Sequence, residues 1–159
     1  VAISRFLRVS NQKIKKALEL YKPINKRSQV INKKNNKILL DAYNANPSSM
    51  IASINSFLKN NPKNSIAVLG DMLELGFYEK EGHVKIIKLL ESSPFEEIFF
   101  VGKLFFKFSK ESNSFKKTIH FFKEKIEAYS YLKKRKFENK NILIKGSRKL
   151  QLEDTINFF

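Results

Sequence analysis

Three short segments carry residue types that can hold a charged ligand. The first is Asp41-Ala42-Tyr43-Asn44-Ala45-Asn46-Pro47. Asp41 can accept bonds from the paired hydroxyls of a ribose, and Asn44 and Asn46 each offer a donor and an acceptor. The same residues also suit an ordinary turn and helix start, with Asn46 as N-cap and Pro47 at the first helical position. The second segment is Leu69-Gly70-Asp71-Met72-Leu73-Glu74-Leu75-Gly76. Its two carboxylates can attract an ammonium group, or the segment can simply cover the end of a sheet. His83 follows it, and packing is the commoner use of a lone histidine. The third is Leu143-Ile144-Lys145-Gly146-Ser147-Arg148. Two cations, a hydroxyl and exposed backbone N–H groups suit a carboxylate or phosphate, although a basic strand end is also common as solvated surface.

Other chemistries lack their residues. No GxxxxGK[ST] phosphate loop and no GxGxxG fingerprint occurs. Ser147 has no G-x-S-x-G elbow around it. With no cysteine, disulfides and thiolate metal sites are excluded. His83 and His120 lie on different segments, so no protein metal site is expected.

The formal charge is +16, from 31 Lys and Arg against 15 Asp and Glu. Such a charge favours polyanions. Lysine is nevertheless scattered through every segment alongside Asn, Ile and Phe, a combination that AT-rich codons produce. We therefore read it as compositional, with a basic nucleic-acid-binding or regulatory α/β domain as the alternative. No apolar run approaches a membrane span, so no membrane insertion is expected, and the lack of cysteine fits a cytoplasmic protein. The chain does not begin with Met and has no signal-peptide layout, which hints at a piece of something longer.

Positioning these segments requires an alternation of elements. Ser10 is placed to cap a helix whose Ile14, Ala17, Leu18 and Tyr21 share one face, and Pro23 is expected to stop it. A short strand is expected around Arg27 to Ile31. Apolar runs at Ile38–Leu40, Ile66–Leu69, Ile98–Val101, Ile119–Phe122 and Ile142–Ile144 read as strands covered on both faces. Helical patterns lie between them at Met50/Ile51/Ile54/Phe57/Leu58, Val84/Ile87/Leu90 and Ile126/Tyr129/Leu132, and a last short helix is expected over 149–157. The fold class is α/β, a Rossmann-like, mostly parallel sheet with helices on both faces. In such sheets ligands gather at the carboxyl ends of strands, where all three segments fall.

Taken together, the segments resemble the Mur ligases, most closely the branch that adds D-alanyl-D-alanine to UDP-N-acetylmuramoyl-tripeptide. The family's last domain carries DxYNANP (Asp41 to Pro47), LGDMLELG (Leu69 to Gly76), a downstream histidine (His83), a VG pair (Val101-Gly102) and KGSR (Lys145 to Arg148). Arg27-Ser28-Gln29 matches the junction pattern Gly-Arg-x-Glu/Gln, with Lys26 in place of the glycine. Leu40 stands where an Asp-Asp pair is common.

The resemblance implies a division into residues 1–24, the tail of a central ATPase domain and the junction, and 25–159, a Mur ligase C-terminal domain. It implies ATP-driven peptide-bond formation. The tripeptide carboxylate attacks the γ-phosphate, and the amine of D-alanyl-D-alanine then attacks the resulting acyl phosphate. Positioning and charge stabilisation, including Mg²⁺, dominate such chemistry. ATP and Mg²⁺ would be held mainly by the missing central domain, which with the missing N-terminal domain would complete the enzyme, so the isolated chain is expected to fold without catalysing. Arg27 is implied for phosphate, Asp41 for ribose, and Tyr43, Asn44 and Asn46 for the nucleotide side. Gly70, Asp71, Met72, Glu74, His83, Lys145, Ser147 and Arg148 are implied for the acceptor dipeptide. No residue is singled out as catalytic.

Overall fold

A computed structural model of the chain describes residues 1–21, 25–61, 63–112 and 118–159. Two helices open the chain, α1 (Ala2–Phe6) and α2 (Asn11–Leu20). Ser10 caps α2 by accepting from the Lys13 amide. Of the anticipated α2 face only Ile14 is buried; Leu18 and Tyr21 are exposed, and α1 buries nothing. The helix ends at Leu20 with Tyr21 as C-cap; the expected stop at Pro23 lies outside the described residues.

Among the described residues six strands then form one sheet: β1 (Gln29–Lys33), β2 (Asn36–Asp41), β3 (Ser65–Gly70), β4 (Glu97–Val101), β5 (Ile119–Phe122) and β6 (Asn141–Lys145). Their order is β1-β2-β6-β3-β4-β5, antiparallel between β1 and β2 and parallel elsewhere. The last strand in sequence therefore sits between β2 and β3. Four helices connect the strands: α3 (Pro47–Asn60), α4 (Glu79–Glu91), α5 (Lys103–Lys107) and α6 (Lys125–Lys133). Of these, α5 is absent from the apolar periodicity because it is barely more than one turn. The expected last helix is 3₁₀ rather than α, in two pieces, Arg148–Leu150 and Leu152–Phe158.

Side chains alternate across a strand, so each central strand feeds two cores. Ala67, Leu69, Leu143, Ile98 and Phe100 meet Met50, Ile54 and Phe57 of α3, Ile86, Ile87 and Leu90 of α4, and Phe105 of α5. Ile66, Val68, Ile142, Ile144, Phe99 and Val101 meet Ala128 and Leu132 of α6 together with Leu152 and Phe159. All six residues of β3 are buried, which is why its run is continuously apolar. Edge strand β1 instead alternates half-buried and exposed. Ile126 of the predicted α6 face is exposed; Ala128 and Leu132 face the core. No helix among the described residues is long and apolar enough to cross a membrane.

Candidate functional site

Because β2, β6 and β3 are neighbours, the segments after them emerge side by side at one end of the sheet. The first and third are joined directly. Asp41 and Lys145 are register partners, and the Lys145 ammonium, 2% exposed, donates to Asp41 Oδ2 at 2.6 Å and to the Asn44 carbonyl at 3.2 Å. Asp41 Oδ1 accepts from the Ser28 amide at 3.2 Å. The carboxylate expected to face a ribose is thus already bonded on both oxygens, and Lys145, expected to meet a dipeptide, is engaged by Asp41 and the Asn44 carbonyl. Leu40, in place of a second aspartate, points the other way into the core beneath α6.

Asn44 and Asn46 serve the backbone first. Asn44 Oδ1 accepts from the Ala45 amide at 2.8 Å. Asn46 is the N-cap of α3, accepting from the Ser49 amide while the Ser49 hydroxyl reaches back to the Asn46 amide, with Pro47 at the first turn. Such a cap stabilises a helix by about 1 kcal/mol. Both asparagines remain exposed.

The second and third segments are fastened through Ser147, whose hydroxyl donates to the Asp71 carbonyl at 2.8 Å and accepts from the Leu73 amide at 3.0 Å. Gly70 and Gly146 allow this approach: a Cβ on Gly146 would come within 3.3 Å of the Gly70 backbone. Asp71 turns inward. Its two oxygens accept from the Leu104 and Phe105 amides, both at 2.9 Å, at the start of α5. Gly102, at φ +131, makes room, since a Cβ there would lie 2.3 Å from the Asp71 carboxylate. That contact explains the Val101-Gly102 pair. Burial pushes the Asp71 carboxyl above its ordinary 3.8 and outweighs the amides, which pull it down.

His83 is also internal, 0% exposed. Nδ1 donates to the Glu79 carbonyl at 2.7 Å and Nε2 accepts from the Met72 amide at 3.1 Å, since a carbonyl can only accept and an amide N–H only donate. Burial lowers its pKa from the ordinary 6.5. Of the residues expected at the dipeptide, Gly70, Asp71, Met72 and His83 lie beneath the surface, where the Asp71 carboxylate and the His83 ring bond backbone groups. Glu74, exposed at φ +66, stays at the surface.

Above this layer lies a cleft of about 670 Å³, lined by Lys26, Tyr43, Glu74, Ser147, Arg148 and Glu153 among others. Arg27 stacks on the Tyr43 ring, 3.7 Å from its centroid, and the Arg148 guanidinium lies 5.6 Å from the same centroid. Lys26 pairs with Glu153. It adopts φ +62, the left-handed conformation that a glycine at this place takes without cost. Glu153 and Lys26 were missed because they lie at opposite ends of the chain and no local pattern links them. The Mg²⁺ that the resemblance implies finds no fitting donor set. Among the described residues no group of three or more His, Asp or Glu could hold a metal, and Asp41 and Asp71 are engaged as described.

A mostly parallel six-stranded sheet with helices packed on it, its loops side by side at the carboxyl ends of the strands, defines an α/β domain. The family model described as "Mur ligase, glutamate ligase domain" matches residues 26–148, and the chain belongs to that family. It is 37% identical to the UDP-N-acetylmuramoyl-tripeptide–D-alanyl-D-alanine ligase of Buchnera aphidicola subsp. Acyrthosiphon pisum, over 98% of this chain and 34% of that protein. The ligase of the same name from Borreliella burgdorferi is 30% identical over 100% of this chain and 34% of its own length. Among solved structures, a crystal structure of MurF from Acinetobacter baumannii superposes with TM-score 0.82 at 27% identity, covering 98% of this chain and 34% of that one. MurF ligase from Thermotoga maritima, in complex with ADP, gives 0.77 at 26% identity, covering 99% of this chain and 35% of that one. The chain spans about a third of the length of the curated relatives it matches.

Proposed function

We propose that this chain is the C-terminal part of an ATP-dependent ligase that joins D-alanyl-D-alanine to UDP-N-acetylmuramoyl-tripeptide in the cytoplasm, in peptidoglycan precursor synthesis. The observation that carries the reading is the convergence of the Asp41–Pro47, Leu69–Gly76 and Lys145–Arg148 segments at one sheet end. The names of its relatives support it. On this reading residues 1–24 are the tail of the central ATPase domain. Their uncovered apolar side chains, among them Phe6, Leu7, Leu18 and Leu20, are consistent with that division.

Arg27 contacts phosphate, and Asp41, Tyr43, Asn44 and Asn46 form the nucleotide side. Asp41 is held ready by Lys145 and the Ser28 amide. Glu74 meets the acceptor dipeptide, whose ammonium group its carboxylate attracts. Ser147, Gly70, Asp71, Met72 and His83 keep the acceptor loop in shape. The phosphate cradle and the Mg²⁺ ligands belong to the absent central domain, and catalysis needs both parts in register.

The purified chain alone is expected to show no ATP-dependent ligation. Mixed with, or fused to, the N-terminal two thirds of a relative's enzyme, it should release phosphate only when UDP-N-acetylmuramoyl-tripeptide and D-alanyl-D-alanine are both present. Ligation by the chain alone would overturn the division of labour. A well-folded fusion that ignores D-alanyl-D-alanine would overturn the substrate.

A further inference from the structure

We propose that Tyr43 is a positioning residue, whose ring gathers the Arg27 and Arg148 guanidinium groups into one fork for the phosphates of an oligophosphate. The proposal rests on Arg27 as a phosphate contact. It extends that site to Arg148 and gives the tyrosine a defined task.

Arg27 precedes β1 and Arg148 follows β6, yet both guanidinium carbons lie within 5.6 Å of one ring centroid. Two like charges so placed repel, and an aromatic face that attracts both offsets the repulsion. Stacking occupies the face of a guanidinium and leaves the N–H donors at its rim available to an anion, which an ammonium group cannot do. The surrounding charges are sorted. Lys26 is neutralised by Glu153 and Lys145 by Asp41, whereas among the described residues Arg27 and Arg148 pair with no carboxylate. A single carboxylate satisfies one such group, and an anion with several charged oxygens satisfies both. Asn25, Lys26, Arg27, Tyr43 and Arg148 line a concavity of about 420 Å³ where such a ligand fits.

The test is calorimetric titration of the purified chain with inorganic tripolyphosphate at constant salt. Tyr43→Phe keeps the ring and should bind within about twofold of the parent. Tyr43→Leu should bind about fivefold more weakly, the upper end for a cation–π contact at an exposed site. Neither changes net charge, so the protein's overall field is the same in all three. Arg148→Lys, which also keeps the charge, should weaken binding, because an ammonium group cannot stack and fork together. Thermal melts monitor folding, and the Phe variant supplies a conservative control. Unchanged affinity in Tyr43→Leu overturns the positioning role and leaves the phosphate site standing. Unchanged affinity in both Arg27→Gln and Arg148→Gln, or no binding by the parent chain, overturns the phosphate reading and the fork with it.

Discussion

Lys145 donates to Asp41 across 2.6 Å, from the end of the last strand to the end of the second, and the two are direct partners in the sheet register. The pair couples the two sequence segments that flank the candidate nucleotide site. Its ammonium is almost wholly buried while its carboxylate keeps some solvent, with side-chain exposures of 2% and 19%.

That asymmetry sets the first expectation. Asp41→Asn leaves a buried ammonium without its counter-charge and should cost about 3 kcal/mol, the lower end of the range for a broken buried pair. Lys145→Met leaves a carboxylate that still reaches water and the Ser28 amide, and should cost less, about 1–2 kcal/mol. Urea unfolding of the two variants measures the difference. Equal losses would mean that the pair is more solvated than its geometry indicates.

Stability should fall as the pH drops below neutrality. The pKa of His83 is lowered on folding, so between its folded value and the ordinary 6.5 the unfolded chain binds more protons. The stability it contributes is therefore complete above 6.5 and is lost as pH falls toward the folded value. Protonation would also turn Nε2 from acceptor to donor against the Met72 amide. His120, lowered mainly by burial, acts in the same direction. Asp71, raised, acts in the opposite one: its contribution is present below 3.8 and is lost as pH rises through its folded value. His83→Gln should lower the melting temperature at pH 8 and flatten its decline between pH 7 and pH 5. A slope unchanged by this substitution would show that His83 is not responsible.

Two glycines in the left-handed region separate backbone freedom from space. Gly76, at φ +54, has nothing within 4 Å of a built Cβ, so Gly76→Ala should cost only the conformational penalty, about 1–2 kcal/mol. Gly102→Ala adds a collision with the Asp71 carboxylate and should displace it from the Leu104 and Phe105 amides. Its cost should exceed that of Gly76→Ala by about 2 kcal/mol or more. Denaturant melts of both variants provide the comparison, and equal costs would indicate that Asp71 moves aside freely.

Local rules succeed where a single element holds the whole cause. The buried strands are visible as continuous apolar runs because helices cover both faces, and the start of α3 is visible because Asn46 and Pro47 act within one turn. The same rules fail for α2. Its apolar periodicity is real, but among the described residues only Ile14 is buried. Periodicity records which side chains share a face, not whether anything lies against that face.

What the amino-acid sequence alone determined is the alternation of strands and helices, the motifs at the strand ends and the family to which they point. What only the tertiary structure decided is what those motifs do for one another. Inserting β6 between β2 and β3 brings Lys145 to Asp41 and Ser147 to the Asp71–Leu73 loop. Pairing β3 with β4 turns Asp71 to the start of α5, and pairing β1 and β6 with β2 sets Arg27 and Arg148 around Tyr43. The physical reason is that a side chain's partners at a strand end depend on strand order and on which groups are cut off from water. Both are properties of the assembled sheet, and no residue's neighbours in sequence carry them.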